Sequence, residues 1–297
     1  MATAALILVT AVWGVTFVQV KDAVELYPLF AFLAVRYAIA AVALAPPAAS
    51  RLRTLGRPGL VAGAILGALI AAGIGLQTAG LERTTVTSTG FITGLYVLFT
   101  PLLALALFRT RIPPRLWAAV ALALVGLALL SGIPESSTQG DLLVLASTVA
   151  QALQIVMVER YANRFDVFAL TFVQVAAACA IFGAVAVALG DLSVPRGATV
   201  WAALLVTGLF ACAFALLVQV WAQRRVSATR IAIVFSLETV FAGLFGYLLA
   251  GDRLGVLGFA GCAVIFSGIL IAEPAAAAAL RRLVRRPAPE PEPRPLG

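Results

Sequence analysis

Apolar residues run along this chain in ten blocks separated by short polar breaks. The blocks cover roughly residues 3–20, 28–46, 58–80, 84–108, 115–131, 141–158, 166–189, 199–221, 229–250 and 254–272. Most approach the ~20 residues an α-helix needs to cross a hydrocarbon layer ~30 Å thick. The breaks carry turn formers: Tyr27-Pro28, Pro46-Pro47, Arg57-Pro58, Leu81-Glu82-Arg83, Pro113-Pro114, Pro195-Arg196-Gly197 and Gly251-Asp252-Arg253. The pattern predicts an all-α polytopic membrane protein with ten transmembrane helices.

Composition agrees. The chain is 62% hydrophobic and 11% charged, where soluble proteins carry about a quarter charged residues. The net charge of +8 is distributed as a topology signal and does not suggest nucleic-acid binding. With the N-terminus in the cytoplasm, 16 of the 21 Lys and Arg fall in inside segments and four in outside loops (Lys21, Arg83, Arg196, Arg253), with Arg36 inside helix 2. That bias follows the positive-inside rule and places both termini in the cytoplasm. Residues 3–20 lack a charged leader and a small-residue cleavage site, so they are expected to be a retained helix. Residues 274–297 read as a basic, Pro-rich cytoplasmic tail.

The chain carries an internal repeat. Shifting residues 76–131 by 142 positions superposes them on 218–273 without a gap: Gln77 meets Gln219, Arg83 meets Arg225, Phe99 meets Phe241 and Gly126 meets Gly268. A shift of 138 aligns helices 1 and 2 with 6 and 7, placing Thr10 on Thr148 and Arg36 on Gln174. The chain divides into residues 1–134 and 135–273, two five-helix halves. Five is odd, so the halves must be inverted, and the expected fold is two inverted five-helix repeats around a central cavity. This is an architecture of alternating-access transporters.

Several segments strengthen that expectation: AVWGVTFV (11–18), VRYAIAA (35–41), GDRLG (251–255) and FSGILIAE (266–273). Together with the ten-helix repeat they resemble the drug/metabolite transporter superfamily, in its ten-helix EamA-type branch, across residues 3–272. The resemblance implies export of small molecules through a cavity between the halves, closest to bacterial amino-acid and metabolite exporters, an aromatic amino-acid exporter among them. It further implies a bacterial inner-membrane location. The first-half turn, RTRIP, departs from the family's acidic-basic pair, and nothing functional is carried onto it.

Polar side chains facing lipid are costly, so polar stripes are expected to face the interior. Helix 4 has one in Thr85, Thr89, Thr93, Tyr96 and Thr100; helix 6 has Ser147, Gln151 and Gln154, whose counterparts in helix 1 are Val9, Trp13 and Thr16. Helices 3 and 8 carry Gln77 and Gln219. Interhelical hydrogen bonding is the better explanation of each threonine taken alone; the coincidence of stripes on helices 1, 4 and 6 favours a cavity. Trp13, Tyr96, Phe235 and Trp221 are candidate aromatic walls, Trp221 being better placed as an interfacial anchor. Pro101 in helix 4 is a candidate kink.

Glu238 stands out, an acid inside an apolar block. A charge at a bilayer centre costs roughly 3 kcal/mol or more. Its repeat counterpart is Tyr96, so it is expected to face the same cavity. Three roles are open: ion-pair partner of Arg36, receptor for a substrate ammonium, or proton-coupling carboxylate. Arg36 is either structural or faces a substrate carboxylate.

The substrate-binding set is therefore Trp13, Thr16, Gln77, Thr89, Thr93, Tyr96, Gln151, Gln154, Gln219, Phe235 and Glu238. Its expected partners are a small-molecule substrate and the lipid bilayer, with the chain a monomer. The chain has no His, so metal chemistry and a His base are disfavoured, and no Walker-type glycine loop is present. No cofactor and no enzymatic activity are expected. Sugars, nucleosides and lipophilic drugs are alternative substrates; a passive channel and a lipid-modifying enzyme are rivals of other classes. The three cysteines, Cys179, Cys212 and Cys262, each lie in an apolar block and are expected to be unpaired.

Overall fold

The computed structural model describes residues 2–84, 86–131, 138–249 and 255–272. All regular structure among them is helical, in ten spans. These are α1 (Ala2–Leu26), α2 (Leu29–Ala49), α3 (Leu52–Leu81), α4 (Val86–Gly94 and Tyr96–Phe108), α5 (Pro114–Ser131), α6 (Thr138–Ala162), α7 (Val167–Leu189), α8 (Ala198–Val206, Thr207–Phe214 and Ala215–Gln223), α9 (Ala228–Phe235 and Leu237–Leu249) and α10 (Val256–Ala272). Eight spans are long and apolar enough to cross a membrane, and α5 and α10 contribute the shorter apolar helices Pro114–Leu129 and Val256–Ala272.

Most boundaries fall near the sequence breaks, and the exceptions have local causes. Helix α2 continues through Pro46 and Pro47 to Ala49. Helix α3 starts earlier than expected, at Leu52, but its backbone turns at Gly56, with φ 57° and ψ −175°, a region open to glycine and strained for other residues. The expected break at Arg57-Pro58 is this kink.

The spans pair in a way that repeats itself. Helix α5 packs along α10, and α2 along α7. Helix α3 lies against α6 and α7, as α8 lies against α1 and α2; α4 lies against α6, as α9 lies against α1; and α4 touches α9. Exchanging each span with the one five places along leaves this set unchanged. A closed internal two-fold produces that pattern, so the fold is two five-helix repeats around a shared centre.

Small residues set the closest approaches. Ideal Cβ atoms at Gly63 and Gly67 would meet Val173 and Ala177 of α7 at 2.5 Å. On the α5–α10 seam the repeat counterparts Gly126 and Gly268 each face the other helix: a Cβ on Gly126 would lie 2.7 Å from the Gly261 carbonyl, and one on Gly268 3.0 Å from the Ala119 carbonyl.

Three spans are irregular, all at mid-length. Helix α4 breaks at Leu95 (φ −64°, ψ −10°) and α9 at Ser236 (φ −60°, ψ −14°), nearly equivalent points of the two halves. Pro101 is not the break; it sits inside the second segment of α4. Helix α8 widens into a π-helical stretch over Thr207–Phe214. Thr85, Arg253, most of the GDRLG turn, the division at 134/135 and the tail lie outside the described residues.

Candidate functional site

The three irregular helices converge on one cavity of about 110 Å³. That is room for several water molecules at about 10–15 Å³ each on the same measure. Trp13, Thr16, Gln77, Tyr96, Gln151, Gln154, Gln219, Phe235, Glu238 and Arg36 all line it. Thr89 and Thr93 do not. Thr89 is fully buried, and Thr93 is buried one layer back, where its Oγ1 accepts a 2.9 Å hydrogen bond from Gln77 Nε2. The helix-4 stripe thus reaches the cavity through Tyr96 alone among its expected ligands. Its flanking threonine Thr100 is buried with no partner for Oγ1.

One wall is aromatic. Trp13 meets Phe235 edge to face, centroids 4.8 Å apart at 69°. Phe235 meets Tyr96 at 6.4 Å and 81°. Such pairs contribute about 0.5–1.5 kcal/mol beyond area burial and hold the rings in place. The Trp13 indole N–H donates to the Ala211 carbonyl at 2.9 Å. Ala211 lies in the π-helical stretch of α8, where the altered ladder changes how carbonyls are presented. The Thr16 hydroxyl donates to the Trp13 carbonyl in its own helix, at 2.9 Å.

A second wall is built from amides. Gln219 Nε2 donates to Gln154 Oε1 at 2.9 Å and to Gln223 Oε1 at 3.2 Å, and Gln223 Nε2 closes onto the Ile155 carbonyl at 2.7 Å. Gln154 Nε2 lies 3.5 Å from Gln174 Oε1. Gln151 Nε2 reaches Ser147 at the same length. Gln223 and Gln174 were not singled out as site residues. The i, i+4 spacing of Gln219 and Gln223 was the signal for the first, and the alignment of Gln174 with Arg36 for the second.

The two cavity charges do not meet. The Tyr96 hydroxyl lies 3.4 Å from Glu238 Oε2, so the repeat counterparts touch beside the two helix breaks. Arg36 Nε donates to Cys212 Sγ at 3.0 Å. The ion pairs among the described residues are Arg51–Asp166 and Arg83–Glu82, so the Arg36–Glu238 pair, one of the three roles open to Glu238, is not formed. The two side chains are held by different neighbours, Glu238 by α4 and Arg36 by α8.

The cavity is lopsided. Val20, Arg36, Tyr37, Thr78 and Leu81 line it. Their repeat counterparts Val158, Gln174, Val175, Val220 and Gln223 do not, and are at most 2% exposed. Equivalent positions border the cavity in one half and not in the other, though the bordering five are themselves buried, at 2–8% exposed. No group of three or more metal-ligating side chains exists among the described residues. Cys179, Cys212 and Cys262 are free.

Ten apolar spans paired about an internal two-fold, with a polar and aromatic cavity at their centre, define a multi-pass membrane transporter fold. The chain belongs to the EamA-like transporter family, whose model matches residues 1–132 and 138–272. It is similar to an uncharacterized transporter of Archaeoglobus fulgidus, 31% identical over 266 residues that cover 90% of this chain and 83% of that protein. A solved crystal structure superposes with a TM-score of 0.76, covering 95% of this chain and 98% of the other at 18% identity; this likeness speaks to the fold alone.

Proposed function

We propose that this transporter is a secondary carrier that exports small amphiphilic metabolites, amino acids with aromatic side chains foremost, by alternating access through the central cavity. The observation that carries the substrate class is the composition of the walls. Trp13, Phe235 and Tyr96 supply a flat apolar face, Gln77, Gln151, Gln154 and Gln219 supply amide donors and acceptors, and Glu238 supplies a site for an ammonium group. The lopsided lining of the cavity by one half's residues supports alternating access, because a carrier must hold one path shut while the other is open. The matching of one family description to two adjacent stretches supports a division into two halves near residue 134. The charge bias supports an inner-membrane protein with both termini in the cytoplasm.

The test is transport in proteoliposomes against a panel of amino acids, sugars, nucleosides and organic cations. An aromatic amino acid should be moved, and preloading the far side should accelerate uptake, as a carrier does and a pore does not. Glu238→Gln keeps shape and removes charge. With Glu238 as the ammonium receptor, the variant loses zwitterionic amino acids and keeps neutral aromatics of similar size. With Glu238 as the coupling group, counterflow survives and pH-driven transport is lost. Wild-type transport of an aromatic amino acid by Glu238→Gln at every pH would remove Glu238 from the mechanism.

A further inference from the structure

Arg36 lines the cavity and is 7% exposed, in a span where an uncompensated charge is costly. A structural arginine at such depth is ordinarily neutralised by an acid or spread over several carbonyls. Neither occurs here. Among the described residues the guanidinium forms one hydrogen bond, Nε to Cys212 Sγ at 3.0 Å, and thiol sulfur is a weak acceptor. Among the described residues no carboxylate lies within ion-pair distance, the two ion pairs being elsewhere. The Nε edge is thereby fixed, and the paired Nη groups remain for a planar anion to grip with two parallel hydrogen bonds.

Two independent observations concern the same place. First, the side chain is anchored by the π-helical stretch of α8, where Cys212 holds Arg36 and the neighbouring Ala211 carbonyl holds Trp13. π-Turns are rare and concentrate at functional sites, and this one holds a cation and an indole through adjacent residues, Cys212 and Ala211. Second, the repeat counterpart of Arg36 is Gln174, fully buried, whose amide Nε2 has no hydrogen-bond partner. Both halves therefore present an under-satisfied donor at the equivalent position, one facing the cavity and the other packed away.

We infer that Arg36 is the cavity's receptor for a carboxylate, gripping the ligand's anionic end while the Trp13 ring covers its apolar body. The site's ligands are small carboxylates with an apolar or aromatic body, and Cys212 is a positioning residue that sets the guanidinium's orientation. The inference rests on the cavity being the transport site. It narrows the substrates to acid-bearing ones and assigns the acid to Arg36.

The experiment compares binding of phenylalanine, phenylalaninamide and phenethylamine to the full-length protein in nanodiscs, by isothermal titration, with proteoliposome transport of the wider panel alongside. These ligands share the ring and ammonium and differ in the carboxylate. Wild type should bind phenylalanine about 10- to 100-fold more tightly than either analogue, the range expected of a charge-assisted, bidentate contact. Arg36→Gln should bring that ratio close to one. Arg36→Lys, which keeps the charge and loses the fork, should give an intermediate ratio and serves if the glutamine variant folds poorly. Cys212→Ala should lower the ratio without abolishing it. A purely structural arginine would lower yield or melting temperature and leave the ratio alone.

Equal binding of phenethylamine and phenylalanine by wild type overturns the inference, as does an unchanged ratio in a folded Arg36 variant. A protein that transports sugars or organic cations and binds no carboxylate overturns it and leaves the carrier reading standing. One that moves nothing on the panel counts against both.

Discussion

The α5–α10 seam offers a prediction whose size can be worked from distances. Adding one methyl group at Gly126 would place a Cβ 2.6 Å from Ile265 Cγ1, 2.7 Å from the Gly261 carbonyl oxygen and 2.9 Å from the Ile265 nitrogen. The first contact can relax by a rotamer change; the other two are backbone, and relief requires the helices to separate. Overpacking of this kind costs about 1–3 kcal/mol. Gly→Ala within a helix also gains up to about 1 kcal/mol in intrinsic propensity, which confuses a comparison with wild type. Gly183 in α7 removes the confusion. A Cβ there meets nothing within 4 Å, so Gly183→Ala carries the propensity gain without the clash. The difference between the two variants isolates the seam, with Gly126→Ala the less stable by about 1–3 kcal/mol. Equilibrium unfolding in mixed detergent micelles, read by circular dichroism, measures it. Equal stability of the two would show that the helices are not in the close contact described, and the α5–α10 seam would lose its physical basis.

Two further outcomes follow from the cavity and the charge bias. In a cysteine-free background, cysteines at Val20 and Thr78 should react with a small polar thiol reagent at rest, whereas Val158 and Gln223 should react only during turnover, when reactivity at Val20 and Thr78 falls. Lipid- and seam-facing controls at Leu122 and Ile269 should stay unreactive, and simultaneous labelling of both sets would indicate a pore. Reporter fusions after residue 110 and at the C-terminus should be active as cytoplasmic, and one after residue 135 as external; an external C-terminus would defeat the ten-span topology.

The hydrophobic blocks revealed the spans because a bilayer demands an unbroken apolar run for each crossing. They could not reveal how a run is broken internally. Leu95 and Ser236 sit in stretches with no proline at the break, and Pro101, the residue that looked disruptive, is accommodated within a helix. The π-helical stretch in TGLFACAF is likewise unmarked, since its cause is tertiary: Gly208 packs close to the Arg36 carbonyl, and Ala211 and Cys212 meet side chains from α1 and α2.

The site followed the same division. Gln77, Gln151, Gln154 and Gln219 could be picked out because amides in lipid need a reason to be there. Thr89 and Thr93 share the helix-4 face, yet Thr93 meets Gln77 of α3 in an interhelical bond that needs no cavity. Glu238 is legible as an acid in an apolar block, with an ion pair to Arg36 one of three roles the sequence leaves open. Arg36 was its only deep counter-charge in the sequence, and the structure gives it Tyr96 instead.

That contact between Tyr96 and Glu238 bears on ancestry. Equivalent residues of two related halves touch only near the axis that relates them. Were the halves identical, as in an antiparallel pair of separate five-helix subunits, each residue on the axis would face its own copy. Glutamate would face glutamate, two like charges in hydrocarbon, or tyrosine would face tyrosine, and the acid would be gone. A tyrosine opposite a glutamate is open only to halves that differ in sequence, as the two halves of this single chain do. Carrying both halves in one chain lets positions near that axis differ, and Glu238, the one acid lining the cavity among the described residues, occupies such a position.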